Sequence, residues 1–155
     1  MTAAEVLELA RDKGVMIATA ESCTGGMIAA ALTDVAGSSD VFERGFVTYS
    51  NAAKTQLLGV PVALIEAHGA VSEKVARAMA EGALKSSEAQ VAVSVTGIAG
   101  PGGSDHKPEG RVCFGLAQDG VATRVETIEF GPLGRENVRG QTVNRALDLL
   151  AQALS

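Results

Sequence analysis

The chain has 155 residues, 46% apolar and 20% charged, with 13 basic against 18 acidic side chains and a net charge of −5. This length predicts a single domain, 1–155, with a core large enough to need no disulfide or metal staple. The acidic balance and 3% aromatic content argue against a nucleic-acid surface, no apolar run reaches the ~18 residues of a membrane span, and Cys23 and Cys113 fit neither a disulfide framework nor zinc spacing.

The opening stretch, residues 2–13, places Val6, Leu7, Leu9 and Ala10 on one helical stripe that stops at Gly14, so it reads as an amphipathic helix and not as a secretory signal. A cytoplasmic protein with reduced thiols is expected. "VMIATA" (15–20) is continuously apolar, as a buried strand is. Gly25 and Gly26 then open a helix to about Val35, and "GSSDVFER" reads as a loop. "RGFVTYS" (44–50) has the composition of a strand, and Asn51 is placed to cap a short helix to Leu58. Pro61 begins another helix, to His68. Ser72 caps a helix over 73–86, with Glu73 in its first turn.

"AQVAVSVTG" (89–97) is the clearest strand, because Val91, Val93 and Val95 alternate with small residues. Residues 98–110 hold four glycines and two prolines in a loop long for a compact domain, and such loops are often functional. Strands 111–118 and 121–130 flank Asp119-Gly120, a hairpin signal, and 135–154 forms a long closing helix weakened at Gly140. The order predicts an α/β fold, a mixed sheet covered by helices on both faces.

Two strands end in similar grammar: "TAESCTGG" and "SVTGIAGPGG". In open α/β sheets ligands gather beyond the carboxyl ends of parallel strands, and free N–H groups at a helix start can hold an anion or an oxyanion. Neither stretch is a Walker A loop or a dinucleotide fingerprint. From the residues alone, 19–26 is either an active-site turn or a tight structural corner. If it is active, Ser22 and Cys23 are rival nucleophiles. The candidate bases are His68, His106 and Lys54, and a lysine serves only if burial or a neighbouring cation lowers its pKa from ~10.4. Glu21 is the sole carboxylate within either stretch. Arg135 and Arg139, four apart, share a helix face, and either can reach a phosphate or pair with surface carboxylates. Metal spacing is absent, and no cofactor is expected. The competing reading is a non-catalytic module in which the two glycine turns hold a nucleotide phosphate.

"TAESCTGG", "AGSSDVFERGFVTYSNAAK", "HGAVSE" and "SVTGIAGPGGSDHKPEGRV" together resemble the CinA C-terminal domain family, the nicotinamide-nucleotide amidases, in four ordered motifs spread over Leu7 to Ala151. The resemblance implies a three-layer α/β/α sandwich with a mixed, mostly parallel sheet. It implies hydrolysis of the carboxamide of nicotinamide mononucleotide, in pyridine nucleotide recycling. Family members are often fused to an N-terminal molybdopterin-binding-like domain, and this sequence resembles the stand-alone form. Carried over, the resemblance makes Ser22 the nucleophile, Lys54 its base and Tyr49 a supporting group. It places Thr96 and one of Arg135 and Arg139 against the substrate. Backbone N–H groups around Thr24, Gly25 and Gly26 are expected to stabilise the oxyanion, and Cys23, Asn51, Gly97, Ala99 and Gly100 are expected along the substrate. The implied partner is a small-molecule nucleotide, with no nucleic acid or membrane, and a homo-oligomer is expected.

Overall fold

The computed structural model describes residues 1–104 and 106–155; Asp105, which the sequence places in the 98–110 loop, lies outside the described residues. The elements are α1 (Ala3–Lys13), β1 (Ile17–Glu21), α2 (Met27–Thr33), β2 (Phe42–Val47), α3 (Asn51–Leu58), α4 (Val62–His68), α5 (Glu73–Lys85), β3 (Val91–Gly97), β4 (Arg111–Gln118), β5 (Val121–Glu129) and α6 (Arg135–Leu154). The sheet order is β2-β1-β3-β4-β5. β2, β1 and β3 run parallel, and β4 and β5 continue the sheet antiparallel. This is the mixed α/β sandwich the sequence predicts.

Local chemistry sets the boundaries. Thr2 and Glu5 close the start of α1 as a capping box, and Gly14 ends it at φ 65°. α2 starts at Met27, not at Gly25, because Gly25 and Gly26 hold φ of 60° and 108°, which no helical residue adopts. It ends at Thr33, short of Val35. The second strand is shifted from the expected 44–50 to 42–47. Phe42 and Arg44 already pair with Ile17 and Ala18, whereas Ser50 leaves the strand to cap α3, its hydroxyl accepting from the Ala53 N–H. Ser50, not Asn51, is therefore the cap.

The two faces of the sheet carry different side chains. Val91, Val93 and Val95 of β3 and Val112, Phe114 and Leu116 of β4 pack with α1, α2 and α6 in the larger core. Phe114 is fully buried and meets Phe130 edge-to-face at 6.4 Å. Burial of such a side chain contributes roughly 2–3 kcal/mol. The other face is built from Ala18, Ala20, Ala92, Ser94 and Gly115, which lets α5 lie close. The Ser94 hydroxyl donates to the Ala76 carbonyl at 2.6 Å, and a Cβ at Gly115 would stand 2.5 Å from the same oxygen. The scarcity of aromatics follows from this close packing.

Two helical glycines test the packing with opposite signs. A Cβ at Gly82 of α5 would lie 2.0 Å from the Leu58 carbonyl oxygen, whereas one at Gly140 of α6 meets nothing within 4 Å. Gly82→Ala should destabilise by about 1–3 kcal/mol, since overlap outweighs the gain of up to ~1 kcal/mol in helix propensity. Gly140→Ala should stabilise by roughly 0.5–1 kcal/mol. Urea denaturation of the two variants checks both signs.

Candidate active site

The site begins where β1 runs out. The Ser22 N–H still donates to the Val95 carbonyl at 3.1 Å, as a last rung of the β1–β3 ladder, and the chain then turns, with the Gly25 N–H donating to the Ser22 carbonyl at 3.0 Å. The Glu21 side chain, 1% exposed, folds forward under this turn. Its carboxylate accepts from the Thr24 hydroxyl at 2.5 Å and from the Ile28 and Ala29 N–H groups at 2.9 and 3.0 Å. From the other side Arg139 donates to the Cys23 and Thr24 carbonyls at 3.1 and 3.2 Å. Each hydrogen bond to a charged group is worth about 1.5–3 kcal/mol when buried. The start of α2 is thus closed by the protein's own carboxylate, and Glu21 is a support for the turn.

Lys54 comes from the next crossover. The Thr48 N–H donates to the Glu21 carbonyl at 2.8 Å, which fixes the end of β2 beside the end of β1. Ser50 then starts α3, and Lys54 lies within its first turns with its amine aimed back at the sheet. Nζ donates to Ser22 Oγ and to the Thr48 carbonyl, both at 3.1 Å. Lys54 is 1% exposed and is the largest fully buried side chain of the protein. Among the described residues no carboxylate pairs with it. Burial without a counter-ion pushes its pKa below the usual lysine range, opposed only by nearby Cys23.

That opposition is weak near neutrality, because the Cys23 thiol is itself pushed up to about 12, chiefly by burial and further by the charge of Glu21. A thiol held so high is protonated at neutral pH and is a poor nucleophile. Of the two rivals, Ser22 Oγ has the amine in hydrogen-bond contact, whereas burial holds the Cys23 thiol in its protonated form.

Ser22 and Lys54 open onto a cleft of about 340 Å³. Of the expected site residues, Ser22, Cys23, Tyr49, Asn51, Lys54, Thr96, Gly97, Ala99, Gly100 and Arg135 line it. Thr24, Gly25, Gly26 and Arg139 do not: the first three form the turn behind Ser22, and Arg139 braces that turn. Tyr49 is 59% exposed at the cleft mouth, where its hydroxyl accepts from Arg135 at 2.6 Å, so it contacts Arg135 and not Lys54. Arg135 also donates to the Gly100 carbonyl at 2.7 Å. The Thr96 hydroxyl donates to the Ala70 carbonyl at 2.9 Å. His68 and His106 are exposed and outside the cleft. Sequence reasoning did not name Ala70 and Val71, which form a wall of the cleft, as site residues; the signal was the motif "HGAVSE" at 68–73, which contains both. A larger groove of about 850 Å³ between α3 and α5 is lined by Lys74, Arg77, Glu81, Lys85 and Ser86, and among the described residues no hydrogen bond joins the Ser86 hydroxyl to any of these charged groups.

Comparison with known proteins bears on the family and the fold. The sequence model of the CinA C-terminal domain matches residues 1–154. A competence-damage inducible protein of Symbiobacterium thermophilum is 63% identical over 155 residues, covering 94% of this chain and 36% of its own length. The chain spans about a third of the length of the curated relatives it matches. Among solved structures, the competence/damage inducible protein CihA from Agrobacterium tumefaciens is 47% identical with a TM-score of 0.89, over 97% of this chain and 95% of that one. A CinA superfamily protein from Klebsiella pneumoniae is 35% identical with a TM-score of 0.93, over 98% and 94%.

The buried amine has a signature in stability. Its folded pKa lies below the unfolded value near 10.5, so the unfolded chain binds more protons between the two. The contribution of Lys54 to stability is then largest above the unfolded pKa and is lost as pH falls through the folded one. The unfolding free energy of the wild type relative to Lys54→Met should therefore rise as pH climbs from neutrality toward 10.5. A pH-independent difference would show that the amine keeps its usual proton affinity in the fold.

Proposed function

The chain belongs to the CinA C-terminal domain family, and from that premise we propose that it is an amidohydrolase that converts nicotinamide mononucleotide to nicotinate mononucleotide and ammonia, with Ser22 as nucleophile and Lys54 as base. The observation that carries this reading is the amine of Lys54, buried, without a carboxylate partner among the described residues and 3.1 Å from Ser22 Oγ. A surface lysine would be protonated and useless as a base; a desolvated one beside a hydroxyl is the arrangement nucleophilic catalysis needs.

In the proposed reaction neutral Lys54 takes the Ser22 proton as Oγ attacks the carboxamide carbon. Tetrahedral collapse breaks the C–N bond, and the Lys54 ammonium returns the proton to the departing nitrogen, which leaves as ammonia. A water then gives a proton to Lys54 while its oxygen attacks the ester carbon; collapse breaks the ester C–O bond, Ser22 Oγ takes that proton back from the Lys54 ammonium, and nicotinate mononucleotide is released. Transfer is direct, because Tyr49 is engaged by Arg135. The donors for the oxyanion are fewer than the turn first suggests. Gly25 N–H is committed to the Ser22 carbonyl, and those of Ile28 and Ala29 to Glu21. The N–H groups of Cys23, Thr24 and Gly26 are left without a backbone or side-chain partner elsewhere in the chain among the described residues, and of these residues Cys23 alone lines the cleft. Loss of one such donor costs roughly 3–4 kcal/mol of transition-state stabilisation. Arg135 and the 97–103 backbone supply the cleft wall suited to the phosphate.

Ammonia release tests the reading. Turnover is expected with nicotinamide mononucleotide and far less with the riboside or free nicotinamide. Ser22→Ala should lower the rate by at least about 10³-fold while the nucleotide still binds, and Cys23→Ala should retain most of it. kcat/KM should rise with pH as Lys54 loses its proton, with the limb below 10.5. Saturable nucleotide binding with no ammonia from any of the three substrates would instead indicate a binding module.

A further inference from the structure

The 98–110 loop contains a segment that the proposed chemistry does not use, "KPEG" at 107–110. Neither Lys107 nor Glu109 lines the cleft. Each nonetheless ties the glycine-rich wall of the cleft to a different part of the fold.

Lys107 crosses to the connection between α4 and α5. Its amine donates to the His68 carbonyl at 2.9 Å and the Val71 carbonyl at 2.5 Å. The two carbonyls between are also occupied: Gly69 O accepts from the Ser72 hydroxyl at 2.9 Å and Ala70 O from the Thr96 hydroxyl at 2.9 Å. Four successive carbonyls are thus held by side chains, and the Ala70–Val71 wall has a defined position. Lys107 packs so closely that a Cβ at Gly69 would lie 2.7 Å from its nitrogen.

Glu109 reaches the other way. One carboxylate oxygen accepts from the Gly102 N–H at 2.7 Å, inside the cleft wall, and the other from the Gly134 N–H at 2.9 Å. Gly134 immediately precedes α6 and Arg135, and Arg135 in turn donates to Gly100. The carboxylate therefore sets the distance between the glycine loop and the arginine facing it. Glycine-rich backbone is the most costly to order, so a wall of Gly97, Gly100, Gly102 and Gly103 needs external ties to stay in a binding shape.

We propose that Lys107 and Glu109 are positioning residues that brace the glycine wall of the cleft, Lys107 against residues 68–71 and Glu109 against the head of α6, and so pre-form the substrate site. Ser22 and Lys54 are held by other elements, so loosening the brace costs binding and leaves the chemical step intact. An unbraced wall must be ordered by the substrate, and that cost is taken from its affinity.

The test uses Lys107→Met, Lys107→Arg and Glu109→Gln in the full chain. Amide exchange, which needs no substrate, is the first arm. Glu109→Gln should accelerate exchange at Gly102 and Gly134, and Lys107→Met at Ser104 and Lys107's own position, with β1 and β3 unchanged. The second arm rests on the amidase reading. KM for nicotinamide mononucleotide should rise roughly tenfold in Lys107→Met and Glu109→Gln with kcat within about twofold, and Lys107→Arg, which keeps donors for both carbonyls, should recover part of the loss. Unchanged exchange in these segments overturns the brace whatever the activity. A parallel fall in kcat and thermal stability without a KM shift overturns it as well, since that is the mark of general destabilisation. A wild type that releases no ammonia defeats the amidase reading alone, and exchange then decides the brace.

Discussion

An amine taken out of water without a carboxylate beside it is the constraint around which this molecule is arranged. Keeping a lysine charged in such a place costs several kcal/mol, and the protein meets it with only two acceptors, the Ser22 hydroxyl and the Thr48 carbonyl. Burial therefore pulls the pKa of the amine down. The surroundings read as devices for keeping that contact. The Thr48 peptide is aligned by its N–H on Glu21, the Glu21 side chain holds the turn that carries Ser22, and Arg139 clamps the same turn from α6. Strand, turn and helix each contribute one restraint to a single nitrogen–oxygen distance.

The buried polar groups divide along the same line. Glu21, Ser22, Thr48, Lys54 and Thr96 all lie at or just past the carboxyl ends of the parallel strands. Away from that edge most buried hydroxyls bond to nearby backbone, as Ser94 does to Ala76 and Thr142 to Val138, while the Thr19 hydroxyl in the middle of β1 has no partner among the described residues. Natural sequences break the apolar-inside rule where function requires it and satisfy the remaining groups nearby.

Much of the fold was legible because its signals are local. The Asp119-Gly120 turn, the valine alternation of β3 and the long run at 135–154 each locate an element, and β4 and α6 have the limits the pattern predicts. Boundaries failed where a side chain acts on neighbouring backbone, as with Ser50 at α3. The turn at Ser22 was legible from small residues before a glycine pair. Lys54 was not legible from its own surroundings, since a lysine in a short polar helix is ordinarily solvated; its burial depends on β1 and β2 meeting side by side. Arg135 and Arg139 could not be separated by spacing, because a period of four puts both on one face. One turn of helix decides between them, directing Arg139 to the carbonyls behind Ser22 and Arg135 to the mouth of the cleft. The contact of Tyr49 with Arg135 was likewise out of reach, as it joins residues 86 apart.

The switch from parallel to antiparallel pairing after β3 also gives the molecule a quiet end. Gly97 of β3, at the cleft, pairs with Val112, while Val91 at its far end pairs with Gln118 beside the Asp119-Gly120 turn. The strand is seven residues long from one end to the other, on the order of 20 Å. A fluorophore, an affinity handle or a whole inserted domain joined at that turn would ride on the protein at a distance from the cleft, so the hairpin is a natural attachment point.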